Sequence, residues 1–178
     1  NVQSREGHGS TFTVELPLTR GEAANALPAD TAHDTGDRNI RLLAAEDNPT
    51  NQQVLAAVME SLGIDIDIVS DGKLAVAAWK VGGYDLILMD IQMPVMDGMD
   101  AAREIRRIEI AEQRKRTPIV ALTANALTHQ VDEYLAVGMD GHVAKPIEIA
   151  KLYEAISAAL TDAATGASGR TPAATLVA

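Results

Sequence analysis

Apolar runs alternate with stretches of helical periodicity five times between residues 39 and 161, and this alternation limits the fold more than any other feature of the chain. Strands that are joined by helices pair in parallel, through right-handed crossovers. The apolar runs predict strands at 40–45, 64–69, 84–89, 118–122 and 141–144. The periodic stretches predict helices near 49–62, 72–81, 99–112, 125–137 and 147–160. We therefore expect an α/β fold with a doubly wound, five-stranded parallel sheet.

Two of the runs indicate where their strands lie in the sheet. The segment 86–89 is continuously apolar, which is typical of a strand that is covered on both faces. The segment 64–68 alternates Ile with Asp, and charges of this kind protect an edge strand from pairing with other molecules. We expect the former to be central and the latter to lie at an edge.

The two ends of the chain differ from this pattern. Residues 10–18 alternate like a strand that Pro17 would stop, and 20–38 have the composition of a linker. Residues 162–178 are mostly Ala, Thr and Gly, which predicts a disordered tail. Because the chain opens on Asn1, we expect it to be part of a longer protein.

Composition disfavours several classes of function. The net charge of −10 opposes nucleic-acid binding, because a phosphate backbone would repel the chain. The absence of cysteine removes disulfides and thiolate metal sites and agrees with a reducing cytoplasm. No apolar stretch reaches the length of a membrane span, so we expect a cytoplasmic segment without direct membrane contact.

Polar residues follow the ends of four predicted strands: Glu46-Asp47, Asp90, Thr123 and Lys145. Side chains at the carboxyl ends of parallel strands converge on one crevice. Three carboxylates, a hydroxyl and an ammonium suit a divalent cation together with a phosphoryl group. Taken singly, each has an ordinary reading as a cap, a strand residue or a surface lysine. For the acidic pair the reading as a helix cap is weakened, because Asn48 before Pro49 can supply that cap.

Four motifs in this order resemble response-regulator receiver domains over residues 39–161. The strings are Ala45-Glu46-Asp47-Asn48, Leu88-Met89-Asp90-Ile91-Gln92-Met93-Pro94-Val95-Met96-Asp97-Gly98, Ala121-Leu122-Thr123-Ala124-Asn125-Ala126 and Lys145-Pro146. The resemblance implies a flavodoxin-like sheet with strand order 2-1-3-4-5. The residues within these motifs are similar to those in the receiver domains of hybrid sensor histidine kinases. Residues 1–19 resemble the last strand of a histidine-kinase ATP-binding domain, as a remnant that lacks the nucleotide pocket.

The resemblance also assigns roles at the site. Asp90 is implied as the phosphorylated residue, and Thr123 and Lys145 are implied as the catalytic residues that act with it. Glu46, Asp47, Asp90 and the backbone carbonyl of Gln92 are implied as ligands of Mg²⁺. The Lys145–Pro146 peptide bond is expected to be cis, as in the family.

Three further residues are implied to tune the response. The family couples its threonine, here Thr123, to an aromatic three residues before the lysine, and that position holds His142 instead of Tyr or Phe. Imidazole titrates near neutrality, so His142 is expected either to add pH sensitivity to the switch or to be an ordinary exposed residue. Gln92 and Asn125 sit where the family adjusts hydrolysis of the acyl phosphate.

The implied function is a phosphoacceptor module of a two-component phosphorelay. It would receive a phosphoryl group from a histidine kinase core on Asp90 and pass it to a histidine phosphotransfer protein, or regulate the parent kinase in cis. The segment itself lacks a kinase active site and would catalyse only its own phosphorylation. One alternative is a receiver-like binding module that works without phosphorylation, and another is an aspartate-nucleophile hydrolase, which usually carries a second Asp where this chain has Gln92.

Overall fold

A five-stranded parallel sheet flanked by helices forms the larger of two units into which the chain divides, residues 1–37 and 38–178. The computed structural model describes residues 2–5, 9–12, 40–124 and 128–165, and describes side chains at 40–124 and 131–165. The predicted linker at 20–38, residues 13–18 and Asn125 lie outside the described residues.

The elements follow one another in the predicted alternation. In chain order they are β1 Val2–Arg5, β2 Gly9–Phe12, β3 Arg41–Ala45, α1 Pro49–Ser61, β4 Asp65–Val69, α2 Gly72–Val81, β5 Leu86–Asp90, α3 Gly98–Ala111, β6 Ile119–Thr123, α4 Thr128–Ala136, β7 Gly141–Ala144 and α5 Ile149–Thr165. Strands β1 and β2 pair with each other as an antiparallel hairpin in the smaller unit.

The sheet has the order β4-β3-β5-β6-β7, and all of its neighbours are parallel. Counted from the first strand of the larger unit, this is the order 2-1-3-4-5, so the expected topology is confirmed. The continuously apolar strand β5 is central and fully buried, and the alternating strand β4 lies at an edge. Both placements that the sequence predicted are therefore confirmed.

Each face of the sheet has its own hydrophobic core. Leu43, Ile87 and Met89 face the side that α2 and α3 cover. Their strand neighbours Leu42 and Leu88 face α1 and α5. Burying a side chain of this size stabilises a fold by roughly 1.5–3 kcal/mol, so these two layers supply most of the force that holds the strand ends together.

Asx side chains start the helices close to the carboxyl edge of the sheet. Asn48 accepts hydrogen bonds from the backbone N–H groups of Thr50 and Asn51, and Pro49 occupies the first turn. Asp97 caps α3 in the same way. These caps fix where each strand-to-helix loop turns, and so they fix the positions of the polar residues in those loops.

Several boundaries differ from the prediction. Strands β5 and β6 each continue to the polar residue, Asp90 or Thr123, because the backbone ladder continues past the last apolar side chain. Helix α5 runs to Thr165, so the first four residues of the predicted tail are helical. Strand β1 was not predicted, and β2 agrees with the strand predicted at 10–18 over residues 10–12, the part of it that the structure describes. Within the described part of the chain, no helix has the length and apolarity needed to cross a membrane.

Candidate functional site

Lys145 joins two carboxylates at the carboxyl edge of the sheet. Its Nζ donates to Glu46 Oε2 at 2.6 Å and to Asp90 Oδ2 at 2.7 Å. Glu46 follows β3 and Asp90 ends β5, while Lys145 follows β7, and its backbone N–H donates to the carbonyl of Thr123 at 2.7 Å. The peptide bond from Lys145 to Pro146 is cis, as expected. The sheet therefore gathers residues from distant parts of the chain into one crevice.

The two carboxylates that Lys145 contacts are buried. Glu46 is 0% exposed and Asp90 is 5% exposed. The remaining oxygen of Glu46 accepts hydrogen bonds from the backbone of Asn48 and from the side-chain amide of Asn51. The remaining oxygen of Asp90 accepts from the backbone N–H of Gln92. Buried charges without such partners would be costly, so this network is what allows two acids to occupy the crevice.

Asp47 completes an acidic trio and differs from the other two carboxylates, because its side chain is exposed. One oxygen from each of Glu46, Asp47 and Asp90 can be chosen such that all three lie within 4.8 Å of one another. Hard divalent cations prefer oxygen ligands gathered in this way. The donor set therefore fits a cation such as Mg²⁺.

Proton affinities at the crevice are shifted by burial and by the neighbouring charges. Burial raises the pKa of Asp90, and Glu46 adds to that rise, whereas the hydrogen bonds from Lys145 and Gln92 oppose it. Burial alone would lower the pKa of Lys145, but the two carboxylates outweigh it and raise that pKa. Lys145 is therefore held as an ammonium at neutral pH, where it offsets negative charge.

Thr123 lies at the end of β6 with 3% of its surface exposed. Its hydroxyl oxygen lies 3.0 Å from the hydroxyl oxygen of Tyr134 on α4. The two residues border a cleft of about 220 Å³ together with Gln92, Met99 and Ala124. Tyr134 was not among the site residues predicted from the sequence. The one feature that could have indicated it is an aromatic residue on the sheet-facing side of a predicted helix.

The loop after Asp90 folds back closely on that residue. The backbone N–H of Gly98 donates to the carbonyl of Ile91 at 3.0 Å. A Cβ atom on Gly98 would collide with the backbone carbonyl oxygen of Asp90. Only glycine fits at this position, so Gly98 sets how tightly the loop closes behind Asp90.

The remaining predicted site residues are placed as follows. Gln92 is exposed and lies close to Asp90 in the chain. Its backbone N–H, rather than its side chain, donates a hydrogen bond to the Asp90 carboxylate. His142 is exposed on β7, where it pairs in register with Ala121 of β6. Asn125 lies outside the described residues. The metal-binding role of the Gln92 carbonyl, the switch role of His142 and the hydrolysis roles of Gln92 and Asn125 stay predictions.

Comparison with known families agrees with the fold and with the crevice. The profile of the response regulator receiver domain matches residues 42–157, which is more than half of the chain. This chain belongs to the response regulator receiver family. Its receiver domain is the unit that carries the crevice.

Curated relatives are sensor kinases that contain such a receiver domain. The aerobic respiration control sensor protein ArcB of Escherichia coli is 40% identical over 153 residues, which cover 85% of this chain and 19% of that protein. The peroxide stress-activated histidine kinase mak1 of Schizosaccharomyces pombe is 43% identical over 122 residues, which cover 67% of this chain and 7% of that protein. The chain thus spans about a fifth or less of these relatives.

Solved receiver domains have the same fold. One is the receiver domain of the sensor histidine kinase PA1611 from Pseudomonas aeruginosa, with a magnesium ion coordinated in its active-site cleft. It is 40% identical, with a TM-score of 0.62, and the match covers 70% of this chain and 99% of that one. Another is the Saccharomyces cerevisiae receiver domain of Ssk1, crystallised with the histidine phosphotransfer protein Ypd1. The match to that structure is 33% identical, with a TM-score of 0.65, over 70% of this chain and 90% of that one.

Proposed function

We propose that this receiver domain takes a phosphoryl group onto Asp90 from a phosphohistidine and passes it on within a phosphorelay. The observation that carries the proposal is the position of Lys145 Nζ, 2.7 Å from Asp90 Oδ2, with the carboxylates of Glu46 and Asp47 beside it. An acceptor carboxylate, a fixed cation and an acidic pocket are the parts that phosphoryl transfer to an aspartate requires.

The transfer itself is a displacement at phosphorus. An oxygen of the Asp90 carboxylate forms the new P–O bond while the P–N bond of the donor breaks. The electron pair of the broken bond stays with the donor nitrogen, so a donor ring protonated on its other nitrogen leaves as neutral imidazole. The product is an acyl phosphate on Asp90.

The protein contributes positioning and charge. The hydrogen bond from the backbone N–H of Gln92 orients the Asp90 carboxylate. Lys145 places its ammonium where the charge of a phosphoryl oxygen would develop, and the hydroxyl of Thr123 lies at the end of the neighbouring strand. The Lys145 ammonium and the Gln92 N–H already contact Asp90 before the reaction begins, so these two groups need little reorganisation during it.

Glu46, Asp47 and Asp90, with the backbone carbonyl of Gln92, are the groups that we propose hold Mg²⁺. The bound ion would neutralise negative charge on the phosphoryl oxygens. Support comes from the oxygen-only donor set of the trio and from the related PA1611 receiver domain, whose cleft contains magnesium.

The partners follow from the same chemistry. The proposed donor is a histidine kinase core, and the proposed acceptor is a histidine phosphotransfer protein such as the one seen with the Ssk1 receiver domain. We further propose that residues 1–19 are the remnant of a kinase ATP-binding domain, that 39–161 are the receiver, and that the whole acts in the cytoplasm as part of a hybrid kinase.

Incubation of the chain with Mg²⁺ and acetyl phosphate tests the proposal. Wild type is expected to gain one alkali-labile phosphoryl group, and Asp90→Asn is expected to gain none. Asp162→Asn makes the same chemical change at an exposed position on α5 and serves as the matched control, which is expected to behave as wild type. Equal labelling of wild type and Asp90→Asn would rule the proposal out.

A further inference from the structure

The hydroxyl of Thr123 has a buried aromatic partner on helix α4. Tyr134 is 5% exposed, and its hydroxyl oxygen lies 3.0 Å from Thr123 Oγ1. Thr123 is equally enclosed, with 3% exposed. A hydrogen bond between two buried hydroxyls is costly to break, because neither group gains water in exchange.

This partner does not come from the strand where the resemblance places an aromatic residue. That position is His142 on β7, and its side chain is exposed. Tyr134 precedes β7 and approaches Thr123 from the α4 side of the sheet. In this chain the aromatic residue in contact with the threonine hydroxyl is therefore supplied by a helix.

The contact bears on the reaction because of where it holds the hydroxyl. Thr123 and Tyr134 border the same cleft, so the hydroxyl of Thr123 is turned toward α4. Lys145 and Asp90 pair with each other in the crevice. A hydroxyl has one proton to donate, so a phosphoryl group on Asp90 would compete with Tyr134 for the hydroxyl of Thr123.

We propose that Tyr134 is a positioning residue that holds Thr123 in its resting orientation, so that the contact between Tyr134 and Thr123 opposes phosphorylation of Asp90. The inference rests on the proposed function of Asp90. Loss of the Tyr134 hydroxyl removes this restraint on Thr123 and makes phosphorylation faster by about three- to tenfold, the worth of one hydrogen bond.

Kinetics of phosphorylation with acetyl phosphate and Mg²⁺ test this in a double-mutant cycle. Tyr134→Phe keeps the buried ring and removes only the hydroxyl. It is expected to speed phosphorylation in wild type and in Thr123→Ser, which keeps a hydroxyl, but to have no effect in Thr123→Ala. Tyr84→Phe removes a hydroxyl bonded to Asp67 at the edge strand and is the matched control, with an unchanged rate.

A spectroscopic measurement on the same protein reports on Tyr134 directly. The chain has three tyrosines, so fluorotyrosine labelling gives three ¹⁹F signals that single Tyr→Phe variants assign. Phosphorylation is expected to shift the signal of Tyr134 and to leave those of Tyr84 and Tyr153 in place. In Thr123→Ala the signal of Tyr134 already differs before phosphorylation and changes little after it.

The outcomes separate this inference from the proposed function. If wild type does not become phosphorylated on Asp90, both are overturned. If wild type is phosphorylated but Tyr134→Phe is unchanged or slower, only the inference is overturned. An equal effect of Tyr134→Phe in Thr123→Ala also overturns it, because a purely structural role would act in every background.

Discussion

Lys145 and Glu46, which lie 99 residues apart in the sequence, form an ion pair of 2.6 Å in which the carboxylate is fully buried. The same ammonium pairs with Asp90 at 2.7 Å. Two buried carboxylates thus depend on one cation, and each of them would be uncompensated without it. The crevice is therefore already arranged around a positive charge that lies next to Asp90, the proposed phosphoacceptor.

Removal of this cation is expected to weaken the fold. Lys145→Ala leaves Glu46 and Asp90 without their counter-charge, and we expect the free energy of unfolding to fall by about 1–3 kcal/mol. Mg²⁺ is expected to stabilise the variant more than wild type, because the ion can take over the carboxylates. Urea unfolding with and without Mg²⁺ measures both effects. Lys151→Ala removes an exposed lysine paired with Glu148 and is the control, with a change of about 0.5 kcal/mol or less. Equal stability of Lys145→Ala and wild type would contradict the account.

Asp47 is expected to contribute more to magnesium binding than to the stability of the metal-free protein. It is the exposed member of the acidic trio, so Asp47→Asn is expected to leave metal-free stability nearly unchanged. Wild type is expected to gain about 1.4 kcal/mol of stability from Mg²⁺ at roughly ten times the dissociation constant. Asp47→Asn is expected to lose most of that gain in a thermal unfolding series. Asp65→Asn on edge strand β4 is the matched exposed control. A magnesium response retained in full by Asp47→Asn would remove it from the proposed ligand set.

Gly98 is expected to tolerate no side chain. A methyl group there would collide with the backbone carbonyl of Asp90, so Gly98→Ala forces the loop or strand β5 to shift. We expect a loss of about 1–3 kcal/mol in the free energy of unfolding, together with slower phosphorylation. Gly141→Ala is the control, since its Cβ would meet only Val120 at 3.9 Å. If the two variants are equally stable, the close approach at Asp90 does not constrain the loop.

The contribution of Tyr84 to folding stability is expected to depend on pH. Burial raises the pKa of Tyr84, and the Asp67 carboxylate that accepts its hydrogen bond raises it further, while Arg41 opposes the shift. The folded pKa thus lies above the unfolded value of 10.0. The stabilising contribution of the neutral phenol is therefore complete below that value and is lost as pH rises through the folded pKa.

Unfolding of wild type and Tyr84→Phe at a series of pH values checks this sign. The stability advantage of wild type is expected to be constant up to about pH 10 and to shrink above it. An advantage that grows at high pH would contradict the assigned cause.

The sequence alone was enough for the order of the sheet and for most of the crevice. Continuous apolar character located central strand β5, alternation located edge strand β4, and the motifs at the strand ends located Asp90 and Lys145. These features could be predicted because the pattern of apolar residues within a strand reflects which of its faces are buried.

Other features depend on contacts between two elements, and these contacts cannot be predicted from the sequence of either element alone. Asn51 holds Glu46 from the first helix, and Tyr134 meets Thr123 across the space between α4 and β6. The switch prediction used the family's spacing from Lys145, which leads to His142, and left open that this residue is an ordinary exposed histidine; its side chain is exposed. The extension of α5 to Thr165 was missed because its last residues are small and carry little periodicity.

Reductive trapping of the phosphorylated chain tests the central claim most directly. Borohydride converts an aspartyl phosphate to homoserine, and peptide mass spectrometry then shows which aspartate carried the phosphoryl group. After incubation with a phosphorylated histidine donor and Mg²⁺, the account predicts homoserine at position 90 and at none of the other acids of the crevice. Trapping at Asp47, or no trapping at all under conditions that phosphorylate a related receiver domain, would contradict it.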